Sequence, residues 1–280
     1  MALQRIVDGV VAATPGVRWS ILLTGPAAAE HEPDRTLRTA SVGKLLLLAE
    51  TARRIEAREL DPAEPLPKDP HLAIADSGLW QHLAVQALPV VDLAVLIAAV
   101  SDNYATNVLL ERIGLNAVAR LGASLGLRRT ALYDRVRPGR GPQDPATLST
   151  GSARELAGLM RRLARGELVS AAVSRRLDGW LATSTDLSMV ASGFRADPLA
   201  HPSGIRNKTG TDDGIRADVG YLGAIAYAVL AEWDHRAVTA TASVIDGMRA
   251  IGAALARDDD GPEPIGSGPS DGPGGGYGAG

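Results

Sequence analysis

The 280-residue sequence predicts a mixed α/β fold of the α+β kind: an antiparallel sheet built from N- and C-terminal segments, flanked by helices, with an all-helical subdomain inserted between them. Two observations carry this expectation. Apolar, β-rich segments gather at both ends of the chain, while the centre repeats apolar residues at helical spacing. Residues 3–13 (LQRIVDGVVAA) have the pattern of a first helix, and residues 17–24 (VRWSILLT) that of a strand with which residues 36–40 could pair. A long helical pattern follows from Ser41 to about Glu59, then shorter ones at 79–87, 91–100, 104–113, 115–125, 152–164 and 171–182. Ser152 and Glu155 form a capping box at the head of one of these. Residues 133–149, rich in Pro and Gly, lack periodicity and read as a long loop, the kind that often carries function. Strand character returns at 206–211, 217–222 and 225–231, and residues 239–256 close with an amphipathic helix. The expected organisation is one catalytic unit over 1–257, its α/β part about 1–50 and 200–257 and its helical part about 51–199. From residue 258 the chain is Gly, Pro, Ser and Asp almost throughout, too poor in apolar surface to repay ordering, and is expected to be a disordered tail. The Gly268–Gly272 match to a G-x-S-x-G nucleophile elbow falls in that tail, where the strand and helix it needs cannot form.

Composition narrows the function classes. Without cysteine there is no thiol nucleophile, disulfide framework or Cys-ligated metal. A formal charge of −3 argues against nucleic acid bound through a basic face. No apolar run approaches the ~18 residues of a membrane span, and the N-terminus lacks the order of a signal peptide, so a cytoplasmic protein with neither membrane nor nucleic-acid partner is expected. The five histidines stand at no ligand spacing, and neither a metal nor another cofactor is expected. Of 29 basic residues only Lys44, Lys68 and Lys208 are lysines. An amine whose pKa burial can tune is something arginine cannot supply.

Two of those lysines fall in short polar constellations. Ser41-Val42-Gly43-Lys44 stands where a strand-like segment turns into the long helix. Residues i and i+3 share a helix face, so a desolvated Lys44 amine could take the Ser41 proton. Taken alone, the segment is equally an N-cap serine followed by a solvated lysine. Ser101-Asp102-Asn103 separates two helical patterns and alone reads as an ordinary capped junction. Lys208-Thr209-Gly210-Thr211 lies on a predicted strand, where the lysine could aim a fixed charge into a cleft and the glycine admit a substrate along the strand edge. Its bland alternative is a solvated hairpin lysine.

Together, S-x-x-K, S-D-N and K-T-G, in this order and 60 and 107 residues apart, resemble the signature of class A β-lactamases and penicillin-binding proteins. The resemblance covers about residues 1–257 and implies the β-lactamase/transpeptidase fold. It implies Ser41 as the acylated nucleophile, Lys44 as its base, Ser101 as a proton relay to the leaving group, and Asn103 as orienting substrate and Lys44. Lys208 and Thr209 would bind a substrate carboxylate with Arg216 as helper, Gly210 lies within the same motif, and the N–H groups of Ser41 and Thr211 would form the oxyanion hole. The implied function is a serine hydrolase acting through acyl-Ser41 on a small carboxylate-bearing lactam, amide or ester. An acyltransferase, D-amino peptidase or esterase using the same site, and a non-catalytic or slowly turning-over ligand-binding homologue, are the alternatives. The sequence departs from class A in one respect: residues 130–154 contain a single glutamate-free loop, whose only acids, Asp134 and Asp144, are the candidates for a deacylation base if there is one.

Overall fold

A computed structural model of the chain describes residues 2–200, 204–237 and 239–259. In chain order the elements are α1 (Ala2–Ala13), β1 (Arg18–Thr24), β2 (Ala29–His31), β3 (Leu37–Arg38), a 3-10 turn (Ala40–Gly43), α2 (Lys44–Glu56), β4 (Pro65–Pro67), β5 (Ala87–Pro89), α3 (Val90–Val100), α4 (Asn103–Ile113) and α5 (Leu115–Ser124). There follow β6 (Ala131–Leu132), β7 (Ser149–Gly151), α6 (Ala153–Ala164), α7 (Ala171–Leu181), a 3-10 turn (Val190–Phe194), β8 (Arg206–Asp212), β9 (Ile215–Leu222), β10 (Ile225–Glu232) and α8 (Ala240–Asp259).

The main sheet has five strands in the order β2-β1-β10-β9-β8, so N- and C-terminal segments do share one sheet. All its pairings are antiparallel, with Ile21 opposite Val229 and Lys208 opposite Val219. Strand β10 is buried along its whole length, because both faces of the sheet are covered. On one face Ile21, Leu23, Tyr227, Val229 and Trp233 pack with Leu3, Val7, Val244, Met248 and Ile251 of the terminal helices α1 and α8. On the other, Ala217, Val219, Ala226, Ala228 and Leu230 join the core of the helical half. Helix α2 runs through that core. Every residue from Lys44 to Ala52 is buried, so it lacks the polar face of a surface helix and is apolar nearly all round.

Four sequence expectations are corrected. Residues 36–40 do not pair with β1: Leu37 and Arg38 pair with Gly151 and Thr150, and β2 takes the place beside β1. The helix expected at 79–87 is a 3-10 turn at Trp80–His82 followed by β5, since the apolar spacing there serves a buried Trp80 rather than a helix face. The long helix begins at Lys44, after a 3-10 turn, and ends at Glu56. Helix α8 continues to Asp259, two residues into the segment expected to be disordered; residues 260–280, with the discarded elbow match, lie outside the described residues. Among the described residues no helix is long and apolar enough to cross a membrane.

Candidate active site

The three sequence constellations converge where α2, the α3–α4 junction and β8 meet. Ser41 sits half-buried in the 3-10 turn that leads directly into α2, and Lys44 opens that helix. Two close approaches explain the glycines nearby. A Cβ on Gly43 would stand 2.4 Å from the Ser149 Cβ, and one on Gly210 would stand 2.1 Å from the Thr39 carbonyl oxygen and 3.3 Å from the Ser41 nitrogen. Gly210 therefore seats β8 on the backbone that bears Ser41, and Gly43 serves packing against Ser149 rather than substrate access. The turn is fixed from below by Ser149, whose hydroxyl donates to the Ala40 carbonyl at 2.6 Å and shares a 2.8 Å bond with the Thr39 hydroxyl.

Lys44 is fully buried. Its amine donates to the Ser101 carbonyl at 2.6 Å and to Asn103 Oδ1 at 2.8 Å, and lies 3.1 Å from Ser101 Oγ. Those two obligate acceptors match the two N–H bonds of a neutral amine, leaving its lone pair for a hydroxyl proton. Among the described residues these are its hydrogen bonds, and none goes to Ser41 Oγ. Burial, reinforced by the nearby charge of Lys208 and opposed by Asp102, lowers the Lys44 pKa well below that of an ordinary lysine.

Ser101 bridges the two lysines. It occupies the left-handed region at φ 55° as the C-cap of α3, and its Oγ accepts from Lys208 Nζ at 3.0 Å. Lys208 is 2% exposed and also donates to the Thr209 carbonyl. Burial lowers its pKa to about 8 against the opposing pull of Asp186 and Asp218. Asn103, at the head of α4, is held by a bond from its Nδ2 to the Ala75 carbonyl. Asp102, between them, is a structural carboxylate: it caps α4 through Ala105 N and accepts from Leu79 N and Trp80 N, both at 2.8 Å.

Thr209 is buried, and its hydroxyl donates to Asp186 Oδ2 at 2.6 Å. Thr211 is exposed at the end of the same edge strand. Arg216 stands opposite Thr211 in the hairpin register; it donates to the Asp212 and Ile215 carbonyls and lies 5.9 Å from the Trp233 ring centroid. Alternation along the strands puts Arg216 on the Thr209 side and Lys208 on the opposite side.

The two candidate deacylation bases are engaged elsewhere. Asp134 is buried and ion-paired with Arg137 at 2.7 Å and Arg140 at 2.5 Å; burial raises its pKa, but the hydrogen bonds from the two arginines outweigh that and hold it below the usual value. Asp144 pairs with Arg137 and accepts from Gly141 N. Sequence reasoning missed two further carboxylates that meet the site. Asp186 stands in a loop with no motif around it. Asp218 looks like a polar interruption of strand β9, but it is fully buried and accepts from Ala191 N, Asn207 Nδ2 and Tyr227 OH.

A serine at the head of a buried helix, two buried lysines linked through a second serine, and an antiparallel sheet edge alongside define a serine hydrolase of the β-lactamase type. The chain belongs to the beta-lactamase enzyme family, whose model matches residues 2–257. It is similar in structure to the β-lactamase of Sphaerobacter thermophilus, with a TM-score of 0.77 at 25% identity, over 90% of this chain and 96% of that one. A β-lactamase from Xanthomonas campestris gives a TM-score of 0.75 at 20% identity, over 91% and 97% of the two chains. PBP-A gives 0.74 at 20% identity, over 92% and 97%. No curated protein matches the sequence.

Proposed function

We propose that the protein is an acyl-transferring serine hydrolase in which Ser41 forms a covalent acyl-enzyme with a lactam, amide or ester. The observation that carries this reading is the buried chain Lys44–Ser101–Lys208, 3.1 and 3.0 Å per link, beside the turn that bears Ser41. In this mechanism Ser41 Oγ bonds to the substrate carbonyl carbon and its proton passes to the Lys44 amine, whose pKa burial lowers. The tetrahedral oxyanion faces the backbone N–H groups of Ser41 and Thr211. As the bond to the leaving group breaks, that group takes a proton from Ser101, which recovers one from Lys44. Asn103 orients the amine throughout, and Lys208 supplies positive charge at the far end of the chain.

The second half-reaction has a distinct reading. With Asp134 and Asp144 both tied to arginines, the loop supplies no free carboxylate to activate water. That favours an amine as acyl acceptor, or a long-lived adduct, over rapid hydrolysis. Support for a covalent intermediate in this fold comes from a neighbour: a single-residue variant of PBP-A is known as an acyl-enzyme complex with penicillin G, at a TM-score of 0.74 to this chain.

The experiment is labelling with a fluorophosphonate probe followed by peptide mapping. The expected result is stoichiometric modification of Ser41, at least about 100-fold slower in Lys44→Ala, as for loss of a general base. Labelling at another residue, or labelling indifferent to Lys44, would overturn the assignment.

A further inference from the structure

The loop between α7 and β8 places a carboxylate inside the site. Asp186 lines a cavity of about 180 Å³ together with Ser101, Lys208 and Thr209. Its Oδ2 accepts from the Thr209 hydroxyl at 2.6 Å, while Oδ1 accepts from Ser188 Oγ at 2.6 Å and Ser188 N at 3.2 Å. Asp186 is therefore positioned, not adventitious: three donors aim it at the point where the K-T-G strand presents its hydroxyl. Burial raises its pKa, but these bonds and the Lys208 charge outweigh that and keep it ionised.

The surrounding charges point the same way. Lys208 lies in the fields of Asp186 and Asp218, and Arg216 in those of Asp213, Asp212 and Asp186. Asp186 is the carboxylate common to both. Thr209, one of the groups that the family resemblance implies for a substrate carboxylate, already holds one from the chain itself, and a second anion brought there meets like charge at close range.

We propose that Asp186 is a specificity-determining residue that fills the anion subsite from within, so that the acyl donor presents an ammonium or an uncharged carboxamide, and not a free carboxylate, to Asp186 and Thr209. This rests on the acyl-Ser41 reading and names the substrate class for that same site. The carboxylate-bearing substrate expected from sequence is replaced by one that complements Asp186.

The test uses three thioesters with one common acyl group, phenylacetylglycyl, and leaving groups that differ only in charge: mercaptoacetate, mercaptoacetamide and cysteamine. In the acylation step the Ser41 Oγ–C bond forms, the C–S bond breaks and the serine proton ends on the thiol; water or an added amine then takes the acyl group and returns a proton to Oγ. Because the chain contains no cysteine, the released thiol can be titrated without background. In the wild type, kcat/KM for the ammonium and carboxamide compounds exceeds that for the carboxylate by about tenfold or more. In Asp186→Asn the ratio of carboxylate to carboxamide rises by about tenfold or more. A wild-type preference for the carboxylate compound, or a ratio that Asp186→Asn leaves in place, overturns the proposal while Ser41-dependent thiol release preserves the acyl-serine reading. Thiol release equal in Ser41→Ala overturns that reading, and the specificity proposal with it. The wild-type ratios decide the matter even if the variant does not fold.

Discussion

Lys44 and Lys208 are the same side chain in similar burial, yet the site sets them apart. Lys44 has two carbonyl acceptors and a like charge nearby, which favours the neutral amine. Lys208 has Asp186 and Asp218 to oppose its desolvation and stays near 8. A pair of groups driven to different pKa values is how one site provides both a base and a fixed cation at one pH. The acylation rate of Ser41 is therefore expected to rise as Lys44 loses its proton and to fall above about pH 8 as Lys208 loses its own. Single-turnover acylation measured from pH 5 to 10 checks this, and Lys208→Arg should remove the alkaline limb, because arginine keeps its charge across that range. A profile flat above pH 8, or an alkaline limb that survives Lys208→Arg, would contradict the assignment of the cation. At this scale the sequence was legible where residues fall in spaced motifs: Ser41, Lys44, Ser101, Asn103 and Lys208 come together in the structure. It was silent on Asp186 and Asp218, because a single carboxylate acquires meaning only from what the fold places around it.

The element with most influence on turnover is the loop from 133 to 149. Asp134 organises it through Arg137, Arg140 and the Arg135 N–H. Asn107 clamps it from α4: Val136 N donates to Asn107 Oδ1 at 2.8 Å, and Asn107 Nδ2 donates to the Val136 carbonyl at 3.0 Å. Asn107 follows Asn103 by four residues, about 6 Å along the axis of α4. Residue 136 is thus rooted close to the partner of Lys44, and it is a valine. Val136→Glu is expected to shorten the lifetime of acyl-Ser41 by about tenfold or more by providing the missing general base. The decay of the adduct mass checks it; an unchanged lifetime would show that the loop does not govern deacylation. The loop's existence was readable from its proline and glycine content, whereas its arginine–carboxylate clamp was not, since pairing depends on how the loop folds back. The misplaced helix at 79–87 has a similar cause: periodicity registers burial, and Trp80 is buried without being helical.

Across the whole molecule, the five-stranded sheet separates two apolar cores and is buried by both, so the site at its β8 edge is supported from both sides. Asp218 lies within this sheet, and burial raises its pKa to about 7 despite bonds from Ala191 N and Asn207. Asp218 thus takes up a proton on folding between about pH 4 and 7, and its contribution to stability falls as pH rises through that interval by an amount on the order of 4 kcal/mol. Urea unfolding at pH 5 and pH 8 checks this: relative to the wild type, Asp218→Asn should shift the difference toward greater stability at pH 8, and an equal difference in both would contradict it. The antiparallel sheet drawn from both chain ends was legible because β-rich runs flank a helical centre; the strand that neighbours β1 was not, because a three-residue edge strand leaves almost no periodicity to read.

The central claim is that Ser41 carries the acyl group, and the most direct measurement is quenched intact-protein mass spectrometry over time with the phenylacetylglycyl carboxamide thioester. The account predicts one added phenylacetylglycyl mass, mapped to the peptide containing Ser41, absent in Ser41→Ala, persisting without an acceptor and clearing faster when an amine is added. Release of thiol with no adduct on Ser41, or an adduct equally present in Ser41→Ala, would contradict it.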